Sequence, residues 1–103
     1  MNLDLSREAM ELLKEATNSQ SREFTRVVSG RSVKFECNGR TLNDPSSSRS
    51  TTDWEEAMGQ LLGYEFIEEF STGIFKVTNT GLAYANSHLN QSSVLIKAPN
   101  RAV

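Results

Sequence analysis

Among its 103 residues the chain has one cysteine, one histidine, one tryptophan and two prolines. A lone thiol, Cys37, excludes an internal disulfide. With His88 as the only histidine, no Cys/His set has the spacing of zinc ligands. No apolar stretch approaches the ~20 residues that span a bilayer. Met1 to Arg7 carries no apolar run of the signal-peptide kind. The expected setting is reducing and cytoplasmic, away from membranes. There, the sequon Asn90-Gln91-Ser92 has no meaning. Glycine-rich phosphate loops, Gly-x-Ser-x-Gly and internal repeats are all missing from the chain.

Hydrophobic residues make up 37% of the chain and charged residues 23%, a balance that fits a folded globular protein. The length holds one core. The expected layout is one domain over residues 3–90 and a tail over 91–103. In the tail, Val94-Leu95-Ile96 either docks as a short strand or stays mobile. A helix that begins almost at the first residue suits a C-terminal piece of a longer protein.

The formal net charge of −2 hides an asymmetry. Residues 1–49 are nearly balanced, with a net of +1. Residues 50–90 hold Lys76 against Asp53, Glu55, Glu56, Glu65, Glu68 and Glu69, a net of −5. Lys97 and Arg101 restore part of this in the tail.

Helical spacing predicts a first helix over about Arg7 to Thr17, capped by Ser6. Ala9, Leu12, Leu13 and Ala16 mark its apolar face, with Leu5 and Met10 as a staple. Phe24–Val28 and the alternating Val33–Cys37 read as a hairpin around Ser29-Gly30-Arg31. Asn38-Gly39 marks a second sharp turn. Asn43 to Arg49 reads as the most flexible internal segment, with room for a single helical turn.

Thr52-x-x-Glu55 looks like a capping box. The stripe Trp54, Ala57, Met58, Leu61 and Leu62 extends that second helix to about Tyr64. Phe66–Phe70 and Ile74–Val77 form a second hairpin. Thr78 caps a third helix over about Asn79 to Leu89, with Leu82, Ala85 and Leu89 inward. Gly81 in its first turn implies a close neighbour, because glycine costs roughly 1 kcal/mol against alanine in a helix interior. The expected core adds Leu5, Phe35, Ile67, Phe75 and Val77 to these helix faces.

This order of elements predicts an α+β domain with three helices and two short antiparallel β-hairpins. The run Trp54-Glu55-x-Ala57-Met58-x-x-Leu61, then Phe66-Ile67-Glu68, then Phe75-x-Val77-Thr78-x-x-Gly81-x-x-x-Ala85 resembles a winged-helix-like module. Modules of this kind recur at the C-terminal ends of uncharacterised bacterial proteins. The opening Leu5-Ser6-x-Glu8-Ala9-x-x-Leu12-Leu13 and the turn at Asn38-Gly39 also fit, so the resemblance covers most of residues 3–89. It implies a winged-helix-like fold and says little about the ligand. There are two departures. Glu65 stands where such modules commonly place a helix-ending glycine. A hairpin and the Asn43–Arg49 loop occupy the place of the supporting helix of a DNA reader.

Two binding readings follow. The helix before the second hairpin would enter the major groove in a winged-helix DNA complex. Here it is acidic, and phosphates repel it. The alternative nucleic-acid surface is the basic first hairpin, with Arg22, Arg26, Arg31, Lys34, Arg40 and Arg49. A solvated face of mixed charge is the plainer reading of those six. The favoured reading is a non-catalytic binding or regulatory module whose partner is a protein or a second copy, with Glu55, Glu56, Glu68 and Glu69 as contact candidates. No cofactor, metal or small-molecule substrate is expected. Cys37 shares a strand face with Val33 and Phe35 and reads as a buried hydrophobe. Glu55/Glu56 and Glu68/Glu69 point apart and make no acid/base dyad.

Overall fold

A computed structural model describes residues 5–89. Expectations for the tail, residues 91–103 with Val94–Ile96, lie outside the described residues. The chain forms α1 (Arg7–Asn18), β1 (Glu23–Ser29), β2 (Ser32–Cys37), β3 (Arg40–Thr41), α2 (Ser48–Gly63), β4 (Ile67–Ser71), β5 (Ile74–Val77) and α3 (Asn79–Tyr84). A π-helical turn, Ala85–Leu89, continues α3. The fold is α+β. Its sheet is antiparallel throughout, with strand order β3-β2-β1-β5-β4.

The two hairpins are therefore not separate. β1 pairs with β5 through Glu23–Lys76, Phe24–Phe75 and Thr25–Ile74. The Phe24 and Phe75 rings stack with centroids 5.2 Å apart, which joins the hairpins inside the core. The Asn38-Gly39 turn, with both residues at positive φ, adds the short β3.

Strand alternation gives the sheet two unlike faces. Phe24, Phe35, Cys37 and Phe75 are buried beneath the helices with Leu12, Leu13, Ala57 and Leu61. Thr25, Lys34, Glu36, Ile74, Lys76 and Glu68 share the opposite face by register.

Side chains correct four local expectations. The N-cap of α2 is Ser47, whose Oγ accepts the Ser50 N–H, so the helix starts one turn before Thr52. Asn43, read as part of a flexible segment, is buried and fully bonded: its Oδ1 accepts the Phe35 N–H at 2.8 Å, and its Nδ2 donates to the Val33 carbonyl at 2.8 Å and to Thr51 Oγ1 at 3.3 Å. Leu62 is 38% exposed, about 100° round the helix from the fully buried Leu61, and Leu82 is half-buried. Phe24 and Phe66, absent from the expected core, are buried.

The close neighbour of Gly81 is Phe66: a Cβ there would overlap the Phe66 carbonyl. Rings of Tyr64, Phe66, Tyr84 and His88 stack in series, with centroids 5.6, 4.8 and 4.4 Å apart, and tie the end of α2 to β4 and α3.

Candidate functional site

The six basic candidates do not converge on one surface. Arg26 lies on the helix-facing side of β1, because its partner in register is the buried Phe35. Its guanidinium donates from Nε and Nη2 to both carboxylate oxygens of Glu55 on α2, at 2.8 and 2.6 Å. Hydrogen bonding to Glu55 raises the Arg26 pKa above its ordinary value. Arg40 is held by Glu15 of α1 at 2.8 Å. Lys34 projects from the opposite sheet face, Arg31 sits in the β1–β2 turn, and Arg22 precedes β1 at positive φ. Arg49 belongs to the first turn of α2.

The acidic candidates also separate. Glu55 is committed to Arg26, and Glu56 is exposed on the far side of α2. Glu69 accepts the Gly73 N–H in its own hairpin, and Glu68 pairs in register with Lys76 on the open sheet face. Thr52, Asp53, Glu56, Gly59 and Gly63 form the exposed face of α2. Beyond Arg49 that face has no cation.

Residues near the starts of α1 and α2, together with β3, enclose a cleft of about 610 Å³ that the sequence did not announce. Trp54 and Leu42 supply its apolar lining. α1 contributes Arg7, Glu8 and Glu11, and α2 contributes Arg49 and Asp53. Trp54 was legible as a core residue, and it is buried. Its second role at the edge of a cleft needs β3, a two-residue strand set by the Asn38-Gly39 turn.

The loop beside the cleft is ordered by Asp44. Its Oδ1 accepts from the Ser46 N–H at 3.1 Å and Oγ at 2.7 Å, which holds its carboxyl below the usual range. The Ser50 hydroxyl accepts the Asp44 N–H at 3.0 Å.

Cys37 and His88 sit in different places. Cys37 is 3% exposed, and burial pushes its thiol pKa up. His88 is exposed in the π-helical turn, stacked on Tyr84. Among the described residues no group of His, Cys, Asp or Glu is arranged to hold a metal ion, and no helix is long and apolar enough to cross a membrane. Compared with protein-family models, curated proteins and solved structures, the chain finds no match.

Proposed function

We propose that the chain is a non-catalytic, winged-helix-like binding module whose partner is another protein. The fold part of this reading draws on the order helix, hairpin, helix, hairpin, helix. It also draws on Thr78, whose Oγ1 accepts the Gly81 N–H at the start of α3. In this reading α2 is the helix a DNA reader would press into a groove, and β4–β5 is the wing.

The observation that carries the choice of partner is the charge on α2. Its solvent face presents Asp53 and Glu56 with no cation after Arg49. DNA affinity rests largely on Lys and Arg neutralising phosphates. An acidic face does the reverse and favours a basic protein surface. Of the six basic candidates, Arg26 and Arg40 are already held by Glu55 and Glu15.

One observation favours the nucleic-acid alternative. Arg22, Arg31 and Lys34 of the first hairpin make no ion pair among the described residues. Fluorescence anisotropy with a labelled DNA duplex at low and moderate salt separates the two readings. The protein-binding reading expects no saturable binding even at low salt. Tight binding that weakens steeply with salt and is lost in an Arg31→Ala, Lys34→Ala variant replaces it with the alternative.

A further inference from the structure

We infer that the cleft between α1, β3 and α2 is the docking site for a short extended segment of a protein partner, one that carries basic residues around an apolar side chain. This rests on the protein-binding reading above and gives that reading a place on the molecule.

The volume, about 610 Å³, is in the range of built ligand sites. The apolar lining is Trp54 and Leu42, which offers an anchor position for an aliphatic side chain. The charges around it select the occupant. Arg40 is neutralised by Glu15 at 2.8 Å, and Arg7 lies 3.6 Å from Glu8. Glu11, Asp53 and Arg49 make no ion pair among the described residues. Two open carboxylates and one open guanidinium remain. That set fits a peptide with two cations and one carboxylate better than it fits a phosphate, which would meet both carboxylates. The acidic face of α2 continues from Asp53 to Glu56, so a longer basic segment leaving the cleft stays on favourable ground.

Trp54 is the only tryptophan and lines the cleft, so its emission reports occupation of the cleft, while circular dichroism separates this from a change in the core it packs into. The probe is a random heptapeptide library selected on the immobilised full chain. Enriched peptides are synthesised and titrated while tryptophan emission is followed. The expected result is a family rich in Lys or Arg around an aliphatic residue, binding that shifts Trp54 emission, and affinity about tenfold or more weaker in a Glu11→Lys, Asp53→Lys variant. Both positions are exposed, and circular dichroism checks that the variant is folded. Glu36→Lys, on the open sheet face and outside the candidate contacts, leaves the affinity unchanged.

The inference is overturned by peptides that bind the cleft variant as well as the parent, by no enrichment, or by inorganic phosphate shifting Trp54 emission in an Arg49-dependent way. Peptides whose binding is lost in Glu68→Lys instead overturn the cleft while leaving a protein-binding module in place. Salt-sensitive duplex binding removes the underlying reading itself.

Discussion

Arg26 of β1 and Glu55 of α2 form a two-pronged ion pair across the interface between sheet and helix, with N···O distances of 2.8 and 2.6 Å. Each side chain is 31% exposed, so solvent screens the pair in part. Its contribution is set at about 1 kcal/mol, near the upper end for pairs that water reaches. A double-mutant cycle with Arg26→Ala and Glu55→Ala, followed by urea unfolding, is expected to give a coupling of that size that shrinks in high salt. A coupling of zero at low salt would mean that the pair adds nothing to docking α2 on the sheet.

Glu65 has φ +62° directly after α2. The Phe66 N–H donates to the Leu61 carbonyl at 2.9 Å, and the Glu65 N–H donates to the Leu62 carbonyl at 3.0 Å. This is the Schellman pattern, with glutamate at the position glycine normally takes. A side chain in the left-handed region is strained, so Glu65→Gly is expected to stabilise the fold by about 1 kcal/mol. Thermal unfolding checks it. A fall in melting temperature would show that glycine's extra freedom in the unfolded chain outweighs the relief of strain.

At Gly81 the opposite substitution fails. Alanine is the better helix former by about 1 kcal/mol. Its Cβ, however, would sit 2.8 Å from the Phe66 carbonyl carbon and closer still to the oxygen. That atom is backbone, and its carbonyl oxygen also accepts the Thr78 N–H at 2.9 Å, so it cannot swing aside. Gly81→Ala is expected to destabilise by about 2–4 kcal/mol, as overpacking and backbone shifts do. Chemical denaturation of the single variant is the measurement.

These two positions show what the sequence made legible. Both stood out because residue type and local pattern disagreed: glutamate at a helix end and glycine inside a first turn. Apolar periodicity located α1, α2 and most strands, since one buried face forces the period. Two kinds of feature escaped it. Pairing of β1 with β5 joins residues about fifty apart, and nothing local encodes that choice. The order around Asn43 comes from a polar side chain serving the backbone, and a run of Asn, Asp, Pro and Ser reads the same whether it is ordered or mobile. The cleft escaped for the first reason, because three separated segments build it. The charge on α2 was legible throughout, since only its exposed face had to be identified.

Asn43 offers a direct measure of that hidden order. Its amide accepts one backbone N–H and donates to one backbone carbonyl, doing for β2 what a neighbouring strand would do. Asn43→Asp keeps the shape and replaces the donor with a second acceptor facing the Val33 carbonyl. A buried polar group left unsatisfied costs about 1–3 kcal/mol, more when it is charged. The loss of stability is expected to ease as pH falls and the new carboxyl takes up a proton that it can donate. Urea unfolding of parent and variant at neutral and acidic pH tests this, and a loss independent of pH would point to packing instead.

Cys37 links the fold to the absence of thiol chemistry in the proposed function. It is 3% exposed, and its Sγ donates to the Glu23 carbonyl at 3.5 Å. Burial is the largest cause of its raised pKa, with the nearby Glu15 charge adding to it. A thiol whose pKa is higher in the folded chain than in the unfolded chain favours folding below the unfolded value. As pH rises past that value, the unfolded chain releases its proton first and stability falls toward the folded value. Folded protein is therefore expected to resist an aromatic disulfide reagent at mildly alkaline pH and to react fully in denaturant. Cys37→Ala is expected to flatten the alkaline part of the stability curve while removing a small buried side chain. Rapid labelling of the folded chain at neutral pH would contradict the burial argument and reopen the thiol as a reactive group.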